Sequence, residues 1–71
     1  MKLIHIVEVI DGNPNIFSFR LNQIEKAKKL FHCLAMENDV AVNEHRIFTK
    51  WNASDYEGYD LVVASSNLNS T

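Results

Sequence analysis

Apolar and polar positions change period several times along this chain, and each change marks an element. Residues 2–10, KLIHIVEVI, are a short run rich in β-branched side chains and closed by Asp11-Gly12. That combination predicts a strand. Alternation puts Leu3, His5, Val7 and Val9 on one face, and Lys2, Ile4, Ile6, Glu8 and Ile10 on the other. A strand apolar on both faces is central in its sheet, or something covers its second face. The following DGNPN is turn chemistry: Gly12 and Asn13 tolerate positive φ, and Pro14 punctuates the turn. IFSFR, 16–20, alternates again, with Phe17 and Phe19 opposite Ile16, Ser18 and Arg20. The two runs together predict a hairpin.

The period then lengthens. Residues 22–38, NQIEKAKKLFHCLAMEN, predict an amphipathic helix. At about 100° per residue, Ile24, Ala27, Leu30, Phe31, Leu34 and Ala35 fall within one broad arc. Asn22 suits the N-cap, with Glu25 three residues later as a capping-box variant, and Asn38 or Asp39 stops the helix. Residues 40–51, VAVNEHRIFTKW, predict a third strand, in which Ile47, Thr49 and Trp51 alternate with Arg46, Phe48 and Lys50. NASDYEGYD reads as a loop, DLVVAS (60–65) as a fourth strand, and 67–71 as a frayed polar tail.

The order strand, strand, helix, strand, strand predicts a small two-layer α+β domain over 1–66. Its antiparallel sheet (β-β-α-β-β) carries one helix packed on one face. The other face, with apolar side chains from the first strand and Phe48, then has no cover within the chain. Exposed apolar surface beyond roughly a few hundred Å² marks an interaction site. A protein partner is therefore expected, or a homodimer through the uncovered sheet face.

Composition narrows the class. With 71 residues, a single domain buries only roughly 60% of the surface its unfolded chain exposes. The lone Cys33 allows no internal disulfide, so stability rests on the core, a partner or self-association. A net charge of −2 argues against a dedicated nucleic-acid binder, whose domains are strongly basic. MKLIHIVEV is interrupted by His5 and Glu8 and is not expected to be a signal peptide. No stretch approaches the ~20 apolar residues of a membrane span. An unpaired cysteine fits a reducing compartment, so a cytoplasmic protein without membrane contact is expected. The sequons at Asn52 and Asn69 are then chance matches.

Candidate chemistry is sparse. His32 and Cys33 are helix neighbours pointing about 100° apart, so they cannot act as a nucleophile and its base. Their positions, off the core arc, read as ordinary helix surface. His5, His32, His45 and Cys33 show no metal-ligand spacing, and no glycine-rich phosphate loop is present. No catalytic, cofactor or metal residue is expected, and the chain reads as a non-enzyme. Arg20, Lys26, Lys28 and Lys29 cluster around the helix start. They form an alternative nucleic-acid patch, set against the plainer reading of a solvated face with Glu25 paired to Lys29.

The most informative segment is WNASDYEGYD, 51–60. It sets Trp51, Tyr56 and Tyr59 among Asp55, Glu57 and Asp60. Aromatics of this type anchor binding hot spots, and neighbouring carboxylates complement a basic surface. The competing reading folds the aromatics back to finish the core. A hairpin, a helix and a second hairpin in a short acidic chain resembles, in architecture alone, many small phage-encoded proteins. Several of those inhibit host enzymes, among them anti-CRISPR proteins and inhibitors of host polymerase. The resemblance implies a small protein-binding module, a phage-type inhibitor or regulator that occludes a host nucleic-acid-processing protein. The alternatives are a small dimeric nucleic-acid-binding regulator using the basic helix face, and a self-associating structural subunit.

Overall fold

The computed structural model describes residues 2–37, 39–48 and 52–67. Strands β1 (Lys2–Ile10) and β2 (Asn13–Arg20) form the expected antiparallel hairpin. Its two-residue turn is Asp11-Gly12, with φ of 51° and 79°. Positive φ at both positions gives the type I′ geometry whose twist matches the flanking strands. Pro14 lies inside β2, opposite Val9. It is tolerated there because β2 is an edge strand, where a missing N–H leaves no central rung empty.

The chain then enters a 3-10 turn, Leu21–Gln23, and continues as helix α1 (Ile24–Glu37). The start differs from the expected Asn22 cap. The Gln23 side chain instead accepts the Arg20 backbone N–H at 3.2 Å, so the cap lies at Arg20, two residues earlier. Asn38 lies outside the described residues. Ala27 is buried, while Leu30, Phe31, Leu34 and Ala35 pack half-buried against Ile4, Ile6 and Leu61, as the arc predicts; Ile24, the first residue of that arc, is 40% exposed instead. Phe17, Phe19, Val40 and Val63 complete this cluster.

Strands β3 (Val42–Phe48) and β4 (Leu61–Asn67) join the same sheet, in the order β2-β1-β4-β3. The result is a two-layer α+β fold with one helix on one face of a four-stranded sheet. β4 is antiparallel to β1 but parallel to β3. The last two strands are therefore not a hairpin, and the sheet is mixed. Their connection, 49–60, has the dozen residues that a parallel crossover needs. It returns the chain to the starting end of β3, and β4 then inserts between β1 and β3. That central position accounts for the apolar character of Leu61, Val62, Val63 and Ala64 on both faces. The β3–β4 register shifts between Asn43 and Arg46.

The second face was expected to lack cover within the chain, and the structure corrects this. Val7 and Val62 are 0% exposed there, and Ala64 and His5 are nearly as buried. Among the described residues, Val9, Tyr56 and Tyr59 pack against the Val7, Val62 and Ala64 cluster. The physical reason is topological. A parallel crossover must pass over one face; α1 occupies the first, and the β3–β4 connection lies over the second. The cover stops short of the β2 edge, where Ile16, the cross-strand partner of Val7, remains exposed. Asn67 of the expected tail ends β4, and 68–71 lie outside the described residues. Among the described residues, no helix is long and apolar enough to cross a membrane.

Candidate functional site

The acidic-aromatic segment is built from local hydrogen bonds upward. Trp51 lies outside the described residues. Asn52 begins a 3-10 turn, Ala53–Asp55. Its Oδ1 accepts the Ser54 backbone N–H at 3.2 Å and also the Ser54 hydroxyl. Asp55 reaches back, its Oδ2 accepting the Asn52 N–H at 2.8 Å. This reciprocal arrangement is a capping box, and it commits the Asp55 carboxylate to the turn. Tyr56 and Tyr59 follow half-buried, on either side of Gly58, whose φ of 81° reverses the chain. Glu57, between them, is exposed.

Asp60 ties three segments together. Its carbonyl accepts the Val9 N–H at 2.8 Å, and its N–H donates to the Ala41 carbonyl at 2.9 Å. Its carboxylate Oδ2 accepts the Ala41 N–H at 3.1 Å. The end of β1, the linker before β3 and the start of β4 therefore meet on this residue. The segment does bring Asp55, Tyr56, Glu57, Tyr59 and Asp60 together. Two carboxylates hold backbone, two tyrosines face the sheet, and Glu57 alone points its charge to solvent free of these tasks.

The basic residues do not converge in the same way. Arg20, Lys26, Lys28 and Lys29 are all exposed. Arg20 alternates onto the face opposite α1, Lys26 and Lys29 lie on the outer side of the helix, and Lys28 flanks the core arc. Glu25 pairs with Lys28 at 3.8 Å, not with Lys29. Both side chains are well exposed, so the pair is worth little.

Sequence reasoning missed a groove beside α1. The helix sits over β1 with β2 and β4 to either side, and β3 is the strand farthest from it. The space left on the β4 side has a volume of about 530 Å³. Ile4, Ile6, Ala27, Phe31 and Val63 supply apolar walls, with Lys28 and His32 on the helix side and Glu44 on the strand side. At its mouth Leu21 and Ile24 are 52% and 40% exposed. Strand count was the available signal. Four strands about 4.8 Å apart are wider than one helix of roughly 10–12 Å diameter can cover.

The histidines and the cysteine separate. His5 is buried on the second face, its Nδ1 2.8 Å from the Ser18 hydroxyl across the β1–β2 ladder. Burial pushes its pKa below the ordinary histidine value. His32 and Cys33 are exposed on α1, and the His45 side chain lies outside what the structure describes. Among the described residues, no three His, Cys, Asp or Glu are grouped to hold a metal ion. Compared with protein families, curated proteins and solved structures, the chain matches none.

Proposed function

We propose that this chain is a non-enzymatic protein-binding module that works by occlusion, and that the groove beside α1 is its docking surface. The observation that carries this reading is the groove itself, apolar within and edged by exposed Leu21 and Ile24. Exposed apolar side chains clustered at a concave edge mark an interaction site. The exposed Glu57 and the net charge of −2 favour encounter with a basic partner. A host nucleic-acid-processing protein has that character.

The test compares affinity capture from host lysate by the native chain, by Ile24→Glu, and by the double variant Tyr56→Ala, Glu57→Ala. A protein retained by the native chain, lost with Ile24→Glu and rebound in purified form is the expected result. Retention that is indifferent to Ile24 but abolished by the double variant moves the contact to the acidic-aromatic segment. No groove-dependent and no segment-dependent partner overturns the reading.

A further inference from the structure

We infer that two copies of this chain join along their β2 edges, antiparallel, with the two-fold axis at Ile16. The interface is the edge of the sheet, not the groove, and stands apart from the docking reading. Its basis is the direction of the β2 backbone. The two-residue turn closes on the hydrogen-bonded pair Ile10 and Asn13, and such pairs alternate along an antiparallel ladder. Asn15, Phe17 and Phe19 therefore spend their backbone groups on β1, whereas Pro14, Ile16, Ser18 and Arg20 direct theirs away from it. Two bonds outside the ladder agree with this alternation. The Arg20 N–H donates to the Gln23 side chain, not to β1. Val9, the cross-strand partner of Pro14, sends its N–H the other way, to the Asp60 carbonyl. Pro14 has no N–H to offer. The Ile16 and Ser18 N–H groups are thus the donors that this edge presents, and among the described residues nothing pairs with it.

The two edges of the sheet differ. β3 has a register shift and carries Glu44 and Arg46, and irregularity and charge of this kind keep an edge from pairing. β2 follows β1 without a shift, and its stretch from Asn15 to Phe19 has no charged residue. The sequence of β2 then selects a second copy as its partner. Around an axis at Ile16, that residue faces its own counterpart, Ser18 faces Pro14 and Arg20 faces Gly12 of the other chain. Ile16 and Ser18 of each chain donate to the Ile16 and Pro14 carbonyls of the other, so every donor presented by the edge is met. Pro14 leaves the Ser18 carbonyl without a donor in each chain. Ile16, 42% exposed in the single chain, is covered by its counterpart where the crossover leaves it bare. The same arrangement brings the Arg20 end of each strand to the Asp11 end of the other, so opposite charges approach twice. The helices leave room for it. α1 lies over β1, so its two copies would stand three strand spacings apart, roughly 14 Å, beyond the 8–10 Å of packed helices.

Sedimentation of the native chain from micromolar to millimolar concentration should show a monomer passing to a dimer. Ile16→Lys sets like charges opposite each other at an exposed position. It should weaken the dimer about tenfold or more and leave the circular dichroism unchanged. Amide exchange on the native chain gives a readout that needs no variant: the Ile16 and Ser18 N–H groups should gain protection only as concentration rises. Cross-linking in a Cys33→Ser background reads the axis. Facing Cα atoms of a hydrogen-bonded pair are about 5.5 Å apart, within disulfide range, so Ile16→Cys should oxidise to a linked dimer. The two copies of Ser18 stand four residues apart along the strands, roughly 14 Å, so Ser18→Cys should not. A monomer at every concentration overturns the inference. A dimer that leaves the Ile16 and Ser18 amides unprotected also overturns it, and places self-association on another surface. Protected amides with linkage through Ser18→Cys in place of Ile16→Cys overturn the axis at Ile16.

Discussion

The two faces of the sheet are covered in different ways, and each cover leaves a gap of its own: a groove beside α1 on one face, and an exposed Ile16 at the β2 edge on the other. One face carries α1, fourteen residues of continuous helix, yet keeps a groove of about 530 Å³ along the flank of that helix. The other face carries an irregular connection, yet Val7 and Val62 at its centre are wholly buried. What closes a face is the position of its large side chains. Tyr56 and Tyr59 are carried back across the middle of the sheet by the crossover, whereas α1 runs over β1 with β2 and β4 to either side. A rigid cylinder seals only the strip beneath it. A connection with two well-placed aromatic rings seals the point where they land.

The sharpest way to break this comparison uses two neighbours that face opposite ways. Val62→Asp would bury an unpaired carboxylate at the sealed face, a cost of several kcal/mol. In a domain so small that cost consumes the ordinary margin of roughly 5–15 kcal/mol, and the variant should not fold. Val63→Asp places the same group in the groove, where water can reach it. It should fold with a loss of about 1–3 kcal/mol. Circular dichroism with urea titration reads both. A folded Val62→Asp beside an unfolded Val63→Asp would reverse the assignment of the open and closed faces.

Next in size is the tyrosine cover. Tyr59→Ala should cost about 2–3 kcal/mol, below the ~3–5 of a fully buried aromatic because the ring is only half-buried. Amide exchange at Val7 and Val62 should accelerate with it. Stability unchanged within about 0.5 kcal/mol would show that the crossover merely lies near the face.

Much of this was legible in the residues, and the failures share one cause. The periods of KLIHIVEVI and of the helix arc specify local geometry, so β1 and α1 match their expected extents closely, whereas β2 begins at Asn13, inside the expected turn and three residues before Ile16. The partition of β1 into an Ile4/Ile6 face and a Val7/Val9 face is likewise a local consequence of alternation. Pairing partners are not local. Nothing in VNEHRIF or LVVAS distinguishes a parallel neighbour from an antiparallel one. Only the length of the connection between them hinted at a crossover. Mistaking that crossover for a hairpin left the second face bare in expectation. The groove stayed hidden for the same reason, because its walls come from both ends of the chain.

Asp60 offers a smaller test of how the crossover is held. Its carboxylate accepts the Ala41 N–H, while its backbone serves Val9 and Ala41. Asp60→Ala removes only the side-chain bond and should cost about 1 kcal/mol. Asp60→Asn keeps an acceptor oxygen and should recover most of that loss in urea denaturation. A carboxylate needed instead by a partner would make the two variants behave alike. Both variants would fold like the native chain, and both would lose the captured protein.

The smallest expected effect reports on the closed face through pH. His5 is buried there, against Ser18, and its pKa lies below the ordinary value of 6.5. The unfolded chain therefore takes up the proton first as pH falls. Stability from neutral His5 is fully present above about 6.5 and declines as pH drops from there through the lower folded pKa. The slope for one proton cannot exceed about 1.4 kcal/mol per pH unit. His5→Gln keeps a polar side chain but titrates no proton, so its stability should fall less between about pH 7 and 5. The difference between the two urea-derived curves isolates this residue from His32 and His45, which both proteins retain. If the curves run parallel, His5 accepts its proton as readily in the folded chain as in the unfolded one. The second face would then be open to water at His5, and the contrast between the two faces would fail at the centre of the sheet.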